Sequence, residues 1–568
     1  MSAAAVPEIP DSASASPNAR RKRSPAAWWQ SGWFLIPVLV ALVFLVRLPA
    51  LSRPDELNPD ESQMLAQAMR YARDMVPWRS VDGTTGGPLN SWLLLGIHRL
   101  GFPLNHTTAH WLAAALVASL VAFTFATIRR MSDPAVALAA AATALAFVVG
   151  AQENDFIHYS SELLPALICA AVVFCCAARI TQHAPHVVQD CFTGFLIGLL
   201  PWTKLQVAPQ AAVLYLWLAY QILSAVKTPG APGTRKWLRF AAFSLCVALP
   251  SLAMFCILAR AGALQDFWIS YIVANAAYAS SEGGPSVVGK LYALVTLWQV
   301  RTLFLGLIIF SLTAMLFLRR HWGKCPDPIR KFLALAVLVG GAALFATLAP
   351  RYAFAHQQML LFQPLCLAAG AVLAAWWSLP PAGDERRRQC RIVLGIYALC
   401  LLVLPVSSLH EAMLEARAIY ERRAVAGETS SAKVARKIRT LCPDAHSMAI
   451  WGWAPALHVQ SQIPPGTRHA ICHFLIDPNP AREHLRASFL ADLERERPPL
   501  IVDAMADGMF RWVWATPPRV DRFPALYQYM KANYILADTY QVTAGSQPVL
   551  FFLSREYVQQ HPPVGGQR

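Results

Sequence analysis

Apolar runs of roughly 17 to 25 residues recur from Trp33 to about Leu409, each long enough for a hydrocarbon core of about 30 Å. At 56% hydrophobic and 14% charged residues, with a mean hydropathy of +0.39, the 568-residue chain is too apolar for an ordinary soluble protein. It reads as a mainly α, polytopic membrane helix bundle of about eleven spans. These are Trp33 to Ala50, Thr107 to Ile128, Pro134 to Ala151, Glu162 to Ile180, a short Cys191 to Thr203, and Leu205 to Val226. Phe240 to Ala259, Leu291 to Leu318, Phe332 to Ala349, Met359 to Ser378, and Ile392 to Leu409 follow.

The basic residues orient these spans. Arg20 to Arg23 precede the first, and Arg129 with Arg130, Lys227 with Arg235, Lys236 and Arg239, Arg319 with Arg320, Arg330 and Lys331, and Arg386 to Arg391 separate later ones. A count of eleven puts all of them on one side, which the positive-inside rule makes cytoplasmic. The net charge of +16 is then mostly topological, from loops lying against anionic lipid, and calls for no nucleic-acid partner. Residues 1–32, rich in Ala, Ser and Pro before a basic cluster, are expected to be a disordered cytoplasmic tail rather than a cleaved signal peptide.

Residues 33–409 form the membrane part, with a long first outward loop over 51–106. Residues 410–568 turn to mixed polar and apolar composition, enough for a separate exported domain. Its expected strands are Ser447 to Trp453, Arg468 to His473, Leu500 to Asp503 and Val549 to Leu553. Helical segments at Ser431 to Leu441, Ala481 to Glu496 and Ala525 to Asn533 alternate with them, an α/β pattern. Most of the twelve cysteines lie in apolar spans, and no metal-ligand spacing appears. Cys442 and Cys472 share the exported region, where a disulfide is open to them.

Chemistry concentrates in the outward loops. In Asn58-Pro59-Asp60-Glu61 the Asn is a good helix cap and the Pro fits the first helical position, so Glu61 falls where it can complete a capping box. Capping explains Asp60 less well, and an acid facing the bundle interior would gain basicity. The stretch from Ser62 to Asp74 has the pattern of a helix lying in the membrane interface. Asp82 to Asn90 holds Gly86-Gly87-Pro88, which suits either close backbone approach or a plain return to the membrane. The next loop, Gln152 to Glu162, packs Asp155, His158 and Glu162 together, some of them solvated or capping a helix. Lys204, between two apolar stretches, either has a partner, for which a phosphate is natural, or snorkels. Arg351 could grip a phosphate or mark a helix end, and His356 lies in the same loop. Carboxylates and cations on one face suit a transferase in which a base activates a hydroxyl while cations stabilise a departing phosphate.

Asp60-Glu61, Gly87-Pro88-Leu89, His158 to Glu162 and the Lys204 segment together resemble membrane glycosyltransferases of the GT-C superfamily, such as the protein O-mannosyltransferases and the lipid A aminoarabinose transferase family. The resemblance implies an inverting transfer from a polyprenyl-phosphate sugar donor to a glycan, polysaccharide or lipid acceptor, at the periplasmic face of a bacterial inner membrane. It implies Asp60 as the base, Glu61 as its positioning neighbour, Asp155 as the second-loop acid, and Lys204 and Arg351 as phosphate ligands. Some members bind a divalent metal and others do not, and no decisive ligand set is visible. Some relatives have Lys-Pro-Pro or Pro-Pro-Leu where this chain has Gly86 to Leu89. The exported domain would help bind the acceptor glycan, its Trp451-Gly452-Trp453 being either core or a sugar-stacking platform. An O-antigen ligase or polymerase would instead need essential Arg and His in a large late loop, and a transporter would need ionisable groups in mid-membrane helices.

Overall fold

A computed structural model describes residues 32–561, except 52, 182–185, 225–233, 281–285, 297, 351–353, 380–387, many positions in 390–427, 510–517, 543–544 and 546. The expected tail, Arg351 and most of the expected span Ile392 to Leu409 lie outside the described residues. Among the described residues, five helices are long and apolar enough to cross a membrane: His106–Met131, Leu163–Thr181, Arg235–Arg260, Asp327–Leu348 and Ala355–Ser378. Leu35–Leu51, Pro134–Gly150, Val187–Thr203 and Leu303–Leu316 are shorter apolar helices. The expected sixth span is the helix Ala208–Leu223 behind a one-turn 3-10 segment, and the expected eighth is two helices, Val287–Thr296 and Trp298–Arg319.

Burial orders the bundle. Met359–Ser378 is covered almost throughout, whereas the outer helices present Leu216, Leu245, Leu312, Leu316 and Phe345 outward. That apolar perimeter is what lipid would cover.

The helix Pro59–Tyr71 departs from its expected place in the interface. Every side chain from Glu61 to Tyr71 is buried, because the C-terminal region lies over it. Arg70 donates to Glu496 at 2.9 Å and to Pro465 O at 3.3 Å from two guanidinium nitrogens. An amphipathic pattern measures the need for cover and does not say whether lipid or protein supplies it.

The C-terminal region folds on a four-stranded sheet in the order β1-β2-β4-β3: Met448–Trp451, Leu500–Asp503, Val549–Ser554 and Tyr534–Tyr540. β1 and β2 run parallel; β4 is antiparallel to both β2 and β3. The period of two sends Ala449, Trp451 and Ile501 into one core and Met448, Ile450, Leu500 and Val502 into another. Helices Ser430–Leu441, Arg482–Glu496 and Pro524–Asn533 match expectation, and β3 was not anticipated.

One expectation fails here, and one open question closes. Arg468 to His473 is not a strand: Arg468 N–H donates to Asp492 and its carbonyl accepts from Asp82 N–H, leaving no ladder partner there. Cys442 and Cys472 are free thiols in separate cores on the two faces of the sheet, so no disulfide joins them.

Candidate active site

Asn58 starts the geometry. Its Oδ1 accepts from Asp60 N–H at 2.9 Å, capping the helix, while its Nδ2 donates to Asp155 Oδ1 at 2.8 Å. One residue therefore sets the helix start and ties the first loop to the second. Asp60, two positions on, projects into a cavity of about 610 Å³ that also receives Lys204 and His356. Its side chain is one-third exposed there.

Glu61 does not share that cavity. A step of about 100° around the helix turns it away from the cavity into complete burial. Leu57 N–H donates to Oε1 at 2.6 Å, Tyr159 N–H to Oε2 at 3.3 Å, and His110 Nε2 lies 3.1 Å from Oε1. The carboxylate reaches Leu57 rather than the Asn58 cap of an ordinary capping box. Burial pushes its pKa up, and the His110 hydrogen bond and charge outweigh that and leave it lowered. Glu61 thus links both loops to the helix His106–Met131 and does not line the cavity. His110 carried no sequence signal, being one polar residue at the start of an apolar run.

The second loop stands behind the cavity wall. Asp155 accepts from His356 N–H at 3.1 Å and from His356 Nδ1 at 3.0 Å. Burial alone would raise its pKa, but the His356 hydrogen bond and charge hold it at about 2. His356 Nε2 is then left toward Asp60 and Glu162, each at 3.8 Å. His158 Nδ1 lies 2.9 Å from Asn154 O, an acceptor only, so Nδ1 carries the proton. Among the described residues, His158 Nε2 is buried without a hydrogen-bond partner. Glu162 is fully buried; Lys204 and His356 overcome the burial penalty and hold it at about 2.

Lys204 is held rather than snorkelling. Its ammonium donates to Glu162 and, at 2.8 Å, to Ser161 Oγ, which leaves a third N–H. The Gly86-Gly87-Pro88 segment docks on this lysine's backbone: Gly86 bridges Lys204, and Gly87 N–H donates to Thr203 O at 2.9 Å. A Cβ at Gly87 would come within 2.0 Å of Trp202 O, so the close approach needs glycine. Both sequence readings of the segment apply, since Pro88 also starts the returning helix Pro88–Arg99.

Asp60, Lys204 and His356 therefore line one cavity, Asp155, His158 and Glu162 support it from behind, and Glu61 faces elsewhere. The C-terminal region supplies the opposite wall through Trp453, Ile471, His473, Phe474 and Asp477. These were not anticipated as site residues, apart from the open question over Trp453.

No protein-family model and no curated protein sequence matches the chain. Among solved structures it is similar to ArnT from Cupriavidus metallidurans bound to undecaprenyl phosphate, at 13% identity and TM-score 0.55, over 93% of this chain and 98% of that one. The apo state of the same protein gives 14% identity and TM-score 0.54, over 92% and 98%. An oligosaccharyltransferase from Archaeoglobus fulgidus is similar at 11% identity and TM-score 0.48, over 83% and 69%. At 13–14% identity the likeness to ArnT shows a shared fold: the chain is folded like ArnT over nearly its whole length.

Proposed function

We propose that the chain is an inverting glycosyltransferase that moves a sugar from a polyprenyl-phosphate donor to a cell-envelope glycan, polysaccharide or lipid, at the periplasmic face of a bacterial inner membrane. The observation that carries this is the meeting of Asp60 and Lys204 in one cavity. Asp60 Oδ accepts the proton of the acceptor hydroxyl as its oxygen attacks the anomeric carbon. The bond from that carbon to the phosphate oxygen breaks, and the electron pair leaves with the polyprenyl phosphate. The third N–H of Lys204 meets the charge growing on that oxygen, inside a largely apolar pocket where such an interaction is strong. ArnT bound to undecaprenyl phosphate supports the choice of donor class. The C-terminal region, residues 410–568, lies over the cavity as a periplasmic domain in this reading, and Arg351 is proposed as a second phosphate ligand.

A divalent cation suits the same place. Asp60, His158 and His356 each bring a ligand atom within 4.8 Å of the others. Each imidazole is oriented by a hydrogen bond at Nδ1, the outer-shell pattern of metal-binding histidines, and His158 Nε2 lacks any other partner. A bound cation would add positive charge facing the departing phosphate.

The deciding experiment incubates the purified chain with labelled polyprenyl-phosphate sugars and an envelope extract, and measures free carrier phosphate. Consumption of a donor is expected. No consumption with any extract would sink the proposal, and a rate unchanged by chelator would remove the cation.

A further inference from the structure

β1 ends at Trp451, the first residue of Trp451-Gly452-Trp453, and the two tryptophans part company there. Trp451 is buried in the sheet core against Phe523, with ring centroids 6.0 Å apart, and its indole N–H donates to Pro518 O at 3.1 Å. Gly452 follows at φ +134°, a backbone conformation that L side chains rarely adopt. That turn delivers Trp453 to the cavity. Cys472 N–H donates to Gly452 O at 2.9 Å, which fastens the neighbouring segment and brings His473 to the same wall.

Four side chains then meet. Trp453 and His473 have ring centroids 5.0 Å apart, and Tyr278 from the membrane region stands edge-on to His473 at 6.3 Å. Asp477, one turn along, lies 3.4 Å from His473 Nδ1. All four line the cavity that holds Asp60 and are only partly buried, unlike Phe474 beside them.

We propose that this roof is a subsite for a carbohydrate ring, with Trp453 and Tyr278 offering aromatic faces to its C–H surface and His473 and Asp477 meeting its hydroxyl groups. A pyranose presents just these two surfaces, an apolar face and a polar rim. Aromatic rings with a polar neighbour match both. The subsite rests on the transferase reading for its catalytic consequence but not for binding. The ring belongs either to the donor sugar or to the acceptor, which offer the same chemistry.

Saturation-transfer NMR on the detergent-solubilised full chain with methyl glycopyranosides tests the binding. Signals on ring protons are expected for the unaltered chain and for Trp322→Ala, whose side chain is exposed away from the cavity. They are expected to vanish in Trp453→Ala and weaken in Asp477→Asn. Absent signals in the unaltered chain, or signals kept in Trp453→Ala, overturn the subsite. With turnover, Trp453→Ala raises one KM by roughly threefold to tenfold. A rise for the polyprenyl-phosphate sugar identifies the donor ring, and a rise for the acceptor identifies the acceptor ring. A change in kcat with both KM values kept overturns the subsite. A chain that consumes no donor but passes the NMR test refutes the transferase reading alone.

Discussion

The cavity floor around Asp60 and the seam around Arg468 are built from the same residue types, both joining the first loop to distant parts of the chain. At the seam the charged groups of Arg468, Asp492, Asp266 and Asp82 are matched, although among the described residues the buried Trp78 indole N–H is not. Arg468 donates to both oxygens of Asp492, to Asp266 at 3.0 Å and to Trp78 O at 3.0 Å. Asp82 accepts from Ser270 Oγ and Thr84 N–H, and His484 meets Asp266 at 2.8 Å. Trp78 packs beside it on Phe267 and Tyr271, with centroids 4.9 and 5.2 Å away. On the floor, Asp60 stays open to the cavity, Lys204 keeps an N–H, and His158 Nε2 has no partner. Buried charge by itself therefore does not mark a site. Hydrogen-bonding capacity left over beside a cavity does.

Substitutions should separate the two regions. The largest effect is expected from Asp60→Asn, which should lower turnover by about 10²- to 10⁴-fold while leaving thermal unfolding unchanged. Wild-type turnover in that variant would remove Asp60 as the base. At the seam, Arg468→Met takes two charge-assisted side-chain hydrogen bonds from buried Asp492, leaving it Arg495 at 2.7 Å and the backbone N–H of residue 468, and should cost up to about 3–5 kcal/mol in thermal or denaturant unfolding. Adding Asp492→Leu should recover much of the loss, and failure to recover would make the seam more than a matched charge set. Glu61→Gln is expected to cost stability by about 1–3 kcal/mol, through its lost acceptor at His110, with turnover within a few-fold of normal. A loss as large as that of Asp60→Asn would restore Glu61 to the chemistry.

The smallest effect is a pH dependence. Burial alone would raise the Asp492 pKa, but Arg468 holds it below the ordinary 3.8. The unfolded chain thus takes up this proton first as pH falls. The seam's contribution is complete above about pH 4 and fades as pH drops through the lowered value. Acid unfolding curves of the unaltered chain should show this fall and those of Arg468→Met should not; parallel curves would mean that Asp492 does not couple to folding.

Much of the floor was readable in sequence because its parts are local signals. Asn58-Pro59 announces a helix start, Asp155, His158 and Glu162 crowd one short loop, and Lys204 interrupts an apolar stretch. Which member of Asp60-Glu61 meets the cavity was not readable. Adjacent helical residues point about 100° apart, and only contact with Tyr159 and His110 sets the helix rotation. The cover over Pro59–Tyr71 was hidden because lipid and protein satisfy the same apolar stripe. β3 was missed because an edge strand exposes Leu536 and dilutes the alternating pattern. Trp453, His473 and Tyr278 have no shared motif, being brought together by β1, a glycine turn and a helix from the other region.

By itself the sequence determined most of the apolar helices, the helix starts and the identities of the acids and the lysine, since hydropathy, capping and desolvation act over a few residues. The tertiary structure alone decided that Asp60 is open, Glu61 locked, Arg468 saturated and Trp453 turned toward the cavity. Those outcomes depend on which distant groups supply or withhold a hydrogen bond, and no local pattern encodes that.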